Sequence, residues 1–169
     1  MVIAILLQLL PYPYLPGGVQ DGMENCFTIH RNRFDVVKLY GDHECRHVRM
    51  VIKPDVEESC VGVMLKIKGM DGKVLMVDVN GDTFYVKPGK LAVNTSNYDK
   101  AKCFLQFAPD EESELVGSFN DSRTLKIYGW DKGWIFTRTR IGRKKVEGWV
   151  APDLQCANPY TMCVSIWGI

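Results

Sequence analysis

The chain has 169 residues and a mass of 19.2 kDa, with 46% apolar and 24% charged residues. These ordinary fractions exclude a disordered tail and a low-complexity polymer, and the length suits one domain with a real core plus a short extension. Lys and Arg total 21 against 20 Asp and Glu, a formal charge of +1, which excludes a globally basic polyanion binder but not a local basic face.

The chain opens on an apolar run, MVIAILLQLL at residues 1–10, followed by the proline-rich stretch PYPYLPGG at 11–18. The run is too short to span a bilayer, which takes about 20 residues. Its length is that of a signal-peptide core, although no basic residue precedes it and no small-x-small cleavage site follows. Residues 1–22 are therefore expected to be a signal peptide or leader, with cleavage near Gly17 or Gly18, and the protein to be secreted and extracellular. The competing reading is an apolar segment packed on the domain of residues 23–169.

From residue 26 onward no stretch keeps a helical period. Short apolar or alternating runs recur at residues 26–30, 34–39, 48–53, 63–68, 74–78 and 83–87. They continue at 103–107, 115–119, 124–128, 134–139, 146–150 and 162–167. Turn residues separate them: Asp71-Gly72, Asn80-Gly81, Pro88-Gly89 and Asp131-Lys132-Gly133. About twelve strands rich in Val, Ile, Phe, Tyr and Trp predict an all-β barrel or sandwich in a single domain. A twelve-strand count suits a β-trefoil, built from three four-strand units. A faint three-part echo agrees: Phe27-Thr28-Ile29-His30 then Phe34, Leu65-Lys66-Ile67-Lys68 then Val74-Leu75-Met76, and Leu125-Lys126-Ile127-Tyr128 then Trp134-Ile135-Phe136.

Six cysteines, at positions 26, 45, 60, 103, 156 and 163, have no C-x-x-C spacing, so no zinc knuckle or thioredoxin-type site is expected. The even count permits disulfides in an exported chain. Cys103, in the apolar run Cys103-Phe104-Leu105-Gln106-Phe107, reads as a core thiol, and Cys156 and Cys163 could pair across Asn158-Pro159-Tyr160. Two sequons, at Asn94 and Asn120, lie in polar, turn-like stretches and are glycosylation candidates if the protein is exported.

His43-Glu44-Cys45-Arg46-His47 spells H-E-x-x-H, a metalloprotease signature that requires a helix so that both imidazoles share one face. Residues 45–52 alternate like a strand, so a loop with coincidental letters is expected there, and no metal site is assigned. Residues 123–146 carry a net +7, densest in Arg138-Thr139-Arg140-Ile141-Gly142-Arg143-Lys144-Lys145, whereas residues 110–114 carry −4. In a strand Arg138 and Arg140 share a face. A turn at Gly142 can bring Arg143, Lys144 and Lys145 to the same region, a cluster suited to fixed anions such as sulfate. Of the tryptophans, Trp134 is expected at the core or its rim, with Tyr128 and Trp130 more exposed.

In its order of strands the chain resembles the fibroblast growth factors. Val61-Gly62-Val63-Met64-Leu65-Lys66-Ile67-Lys68-Gly69 and Val74-Leu75-Met76-Val77-Asp78-Val79-Asn80-Gly81 are similar to that family's "G-V-V-x-I-K-G" and "Y-L-A-M-x-x-x-G" strands. Cys103-Phe104-Leu105 resembles its "C-x-F" strand, and Trp134-Ile135-Phe136-Thr137-Arg138-Thr139-Arg140-Ile141-Gly142 its "W-Y-V-A-L-K-R-x-G". Phe107 stands where the family carries a receptor-contacting glutamate. The resemblance implies a β-trefoil and a secreted growth factor-like ligand, not an enzyme. Such a ligand binds a cell-surface receptor tyrosine kinase of the fibroblast growth factor receptor type, with heparan sulfate or heparin as co-ligand. It implies heparin binding through Arg138, Arg140, Arg143, Lys144 and Lys145, with no nucleic acid partner, no membrane span and no cofactor. The alternatives are another β-trefoil protein, such as an interleukin-1-like cytokine, an inhibitor or a lectin, and remotely a metalloprotease using His43, Glu44 and His47.

Overall fold

The computed structural model describes residues 25–28, 36–52, 64–96 and 101–156. The expected run at 162–167, the pairing of Cys163 and the proposed leader all lie outside these residues. The protein is all-β: the described residues form fourteen strands and one 3-10 turn, Pro152–Leu154. The strands are β1 (Asn25–Thr28), β2 (Val37–Tyr40), β3 (Val48–Ile52), β4 (Met64–Asp71), β5 (Val74–Val79), β6 (Asp82–Val86) and β7 (Leu91–Thr95). They continue as β8 (Cys103–Gln106), β9 (Leu115–Phe119), β10 (Thr124–Lys126), β11 (Gly129–Asp131), β12 (Trp134–Ile141), β13 (Lys144–Val150) and β14 (Gln155–Cys156). They assemble into two open antiparallel sheets of nine and five strands.

Turn chemistry sets the hairpins. Asn80 (φ 56°) and Gly81 (φ 91°) are both left-handed, as are Lys132 (φ 46°) and Gly133 (φ 91°). Those are the backbone values of a type I′ two-residue turn, and these two loops connect β5 to β6 and β11 to β12. At the β4–β5 turn Asp71 pairs with Val74, so the loop is Gly72-Lys73, with the glycine first (φ 57°). Gly142 (φ 59°) takes the same first position between Ile141 and Lys144. A Gly-X loop suits a II′ turn.

The strand order repeats. In the first unit it is β4-β5-β6-β2-β3 and in the second β11-β12-β13-β8-β9. The registers repeat with it. Gly69, Met70 and Asp71 oppose Met76, Leu75 and Val74, while Gly129, Trp130 and Asp131 oppose Phe136, Ile135 and Trp134. Tyr40 meets Tyr85 where Gln106 meets Trp149. Both β2 and β8 shift register at their third residue, and both show the same alternation of burial. β7 belongs to both units. It pairs with β1 of the first, and with β10 and β14 of the second.

Two of the three echoes read from the sequence, those at Leu65 and Leu125, are thus equivalent positions of a two-fold repeat. A β-trefoil requires a three-fold one; the described strands repeat twice and their sheets are open. The core draws on both units: Val37, Leu39, Leu65, Ile67, Leu75 and Val77 are buried in one cluster with Cys103, Leu105, Leu125, Ile127, Ile135 and Val150.

Cys103 is a free thiol with no exposed surface, and burial pushes its pKa up to about 12. It is the core thiol expected from its apolar run. Cys45 is also free and buried. Cys156 is disulfide-bonded. β7 was not expected as a strand, because its residues are buried almost without alternation and Asn94-Thr95 reads as polar. The Asn94 sequon is therefore not in a turn. It faces Thr124 on one side and Cys156 on the other, and the Asn94 Oδ1 accepts a hydrogen bond from the Thr124 hydroxyl at 2.7 Å. Asn120 is exposed just after β9 and keeps the accessibility a glycosylation site requires.

Candidate anion-binding hairpin

All five predicted basic residues fall on one hairpin, β12–β13, and all are exposed. The register sorts them by face. Phe136 opposes Trp149, Arg138 opposes Glu147 and Arg140 opposes Lys145. Directly paired residues lie on the same side of an antiparallel ladder. The neighbouring positions Ile135, Thr137 and Val150 are fully buried, so they point to the core and the three named pairs point outward. Arg143 sits on the turn. Lys144 opposes Ile141 and projects to the opposite side from Arg140 and Lys145. The expectation that Gly142 gathers all five side chains is corrected in that respect: the turn reverses the chain without rotating Lys144 onto the outer face, because side chains alternate along a strand.

The repeat shows where this charge enters the fold. In the first unit Val79 and Asp82 are joined by Asn80-Gly81. At the equivalent place Thr139 and Val146 are joined by residues 140–145. The longer loop adds the ladder pairs Arg140–Lys145 and Ile141–Lys144 and four basic residues. Beneath it, Asp78, which pairs with Lys68 at 3.7 Å, is replaced by Arg138. Arg138 lies 4.8 Å over the Tyr128 ring and 3.2 Å from Glu147 Oε1. Tyr128 in turn rests against the left-handed Gly89, where a Cβ would come within 2.8 Å of its ring.

Arg123, counted in the basic stretch, has a different job. It donates to Thr139 Oγ1 at 3.3 Å and to the Arg140 carbonyl at 2.7 Å, stacks 4.0 Å over Phe119, and is paired with Asp121. Hydrogen bonding from Arg123 holds the Asp121 pKa below the ordinary carboxylate value. Arg123 is thus neutralised and props the base of the extended hairpin from its inner side. Sequence reasoning passed over Phe136 and Trp149 as outer-face residues. The signal was available in their parity with Arg138 and Glu147. Trp134 is buried and Tyr128 and Trp130 are more exposed than it, as expected; Trp130, opposite Ile135, is half-buried with one side packed against the core.

The H-E-x-x-H letters fall in a turn, residues 41–47, that runs into β3, so the helix a zinc site of that kind requires is not formed. Among the described residues no group of three His, Cys, Asp or Glu side chains could hold a metal. Asp42 organises the turn instead. Its carboxylate accepts from the Arg46 and His47 amides at 3.1 and 2.8 Å and lies 3.1 Å from His47 Nδ1. These amide bonds lower its pKa from 3.8 to about 2. The turn is therefore stabilised fully above pH 3.8, and that contribution is lost as pH falls through about 2. In an NMR titration the Arg46 and His47 amides are expected to move with a midpoint near 2, and Asp42→Asn abolishes the step; a midpoint of 3.8 would show that the capping is absent in solution.

No family model matches the chain, and no curated protein matches it. Two solved structures, of NlpC2 and NlpC1 from Trichomonas vaginalis, are each 14% identical to this chain and cover 78% of it, with TM-scores of 0.30. The chain spans less than half of either, 46% and 44% of their lengths.

Proposed function

We propose that the protein is a secreted binding module for anionic glycans of the heparan sulfate class, and that the β12–β13 hairpin is its contact. One observation carries this reading. Arg140 and Lys145 stand directly opposite each other at the end of a hairpin that the equivalent part of the fold closes four residues earlier. Like charges placed so are destabilising. Among the described residues Arg138 is the one member of the basic set in an ion pair, which leaves Arg140, Arg143, Lys144 and Lys145 open to an external anion. The disulfide at Cys156 fits an oxidising compartment and supports export. The further reading, a growth factor-like ligand of a receptor tyrosine kinase, drew on a β-trefoil. In the two-fold arrangement it has no support of its own, so the proposal stops at glycan binding.

On heparin-agarose the protein is expected to elute well above physiological salt, and Arg143→Ala/Lys144→Ala/Lys145→Ala to elute substantially earlier. Because Lys144 faces away from Arg140 and Lys145, Lys144→Ala alone is expected to shift elution least. Elution of the unmodified protein with neutral proteins would refute the proposal.

A further inference from the structure

The outer face of the hairpin is more than a charge cluster. Read from its base, its three outward pairs are aromatic (Phe136 and Trp149), oppositely charged (Arg138 and Glu147) and basic (Arg140 and Lys145). They are two residues apart along each strand, so the three pairs span about 13 Å. The Phe136 and Trp149 rings lie 5.5 Å apart, tilted by 56°, and both are partly exposed. Beside them Gly129 leaves the backbone bare: a Cβ there would stand 3.1 Å from Phe136 Cβ and 3.7 Å from Trp149 Cη2. Tyr128 continues the aromatic surface under the Arg138 guanidinium.

Building on the polyanion reading, we infer that this face is an acidic-polysaccharide subsite. Phe136 and Trp149 form a ledge for the C–H face of one sugar ring, and Arg140 and Lys145 take the sulfate or carboxylate of the next residues along the polymer. Glu147 is what selects the polymer. A DNA backbone has no hydroxyl to donate, so it offers nothing to a carboxylate set between ledge and basic end. A glycan carries hydroxyl donors between its anionic groups, and a carboxylate already held by Arg138 can accept from them. Aromatic surface supplies contact that does not depend on salt, while the cations supply contact that does.

The two contributions separate in one experiment. Binding of a size-defined heparin oligosaccharide and of a single-stranded oligodeoxythymidine is measured by calorimetry over a series of salt concentrations. The protein is compared with Trp149→Ala, Phe136→Leu and Arg140→Ala/Lys145→Ala. The ring variants are expected to weaken heparin binding by about tenfold at every salt concentration, with the slope of log affinity against log salt unchanged. The charge variant flattens that slope. Phe136→Leu keeps an apolar side chain on the strand, and near-UV circular dichroism verifies the fold of each variant. The difference in tryptophan emission between the protein and Trp149→Phe is expected to change on adding heparin. Heparin binding indifferent to both ring variants overturns the ledge and leaves the basic hairpin standing. Oligodeoxythymidine bound as tightly as heparin, with the same ring dependence, overturns the selectivity assigned to Glu147. No heparin binding by the unmodified protein overturns the polyanion reading itself.

Discussion

Gly148→Ala is expected to lower the melting temperature by several degrees, and Gly148→Val by more. Gly148 is buried opposite Thr137 in the middle of β13. A Cβ there would stand 2.7 Å from Val116 Cγ2, 3.0 Å from Leu105 Cβ and 3.0 Å from the Gln106 carbonyl oxygen. The first contact could ease by rotation of the valine, but Leu105 Cβ and the Gln106 carbonyl are fixed by the backbone of the neighbouring strand. Overpacking of this kind costs about 1–3 kcal/mol, which is roughly 3–10 °C for a chain of this size. The equivalent residue of the first unit, opposite Val77, is Phe84, so the position itself does not demand glycine. What demands it is the approach of β8 and β9, whose Leu105 and Val116 occupy the space. Thermal unfolding followed by circular dichroism measures the effect; an unchanged midpoint for Gly148→Val would mean that β8 does not lie against β13 as described.

Lys145→Glu is expected to move stability and binding in opposite directions. It replaces a like-charge pair with Arg140 by an opposite one, a gain of about 0.2–1 kcal/mol for a cross-strand pair. The same change removes a cation from the outer face and puts an anion in its place, so affinity for heparin is expected to fall by on the order of tenfold or more, with a shallower salt dependence. The counterpart Arg140→Glu should behave alike, whereas Lys144→Glu, on the other side of the hairpin, should leave binding nearly unchanged. Chemical denaturation and heparin affinity on the same samples test this. If Lys145→Glu both destabilises the fold and leaves heparin binding intact, the basic end is a structural feature and not a contact.

The local structure was legible where a short segment decides its own geometry. Asn80-Gly81 and Lys132-Gly133 announce left-handed backbone, and the alternating runs beside them became β5, β6 and β12 at close to their expected limits, whereas the run expected at 124–128 ends early as β10 and β11 follows it unforeseen. The basic hairpin was legible for the same reason, since Gly142 and the charges around it are adjacent in sequence. The repeat number was not. Equivalence of β2–β3 with β8–β9 rests on pairing to a distant strand, through Tyr40 to Tyr85 and Gln106 to Trp149, and VKLY shares only its leucine with CFLQ in register. β7 escaped because it is buried on both faces and so lacks alternation. The H-E-x-x-H letters failed in the other direction: the spacing is right, but Asp42 closes a turn over it.

The double membership of β7 makes this chain something other than two beads on a string. Leu91 and Ala92 seal the first unit against β1, while Ala92, Val93 and Asn94 supply the edge on which β10 of the second unit forms. A cut after Ser96 would leave β10 and β14 without the strand between them, and a cut before Leu91 would strip the first unit of its last strand. Neither half is self-sufficient, so separately expressed halves should fold only when mixed, and any insertion tolerated by the protein should fall outside residues 91–95. The basic hairpin of the second unit is accordingly inseparable from the first unit, which completes the sheet on which the second is built.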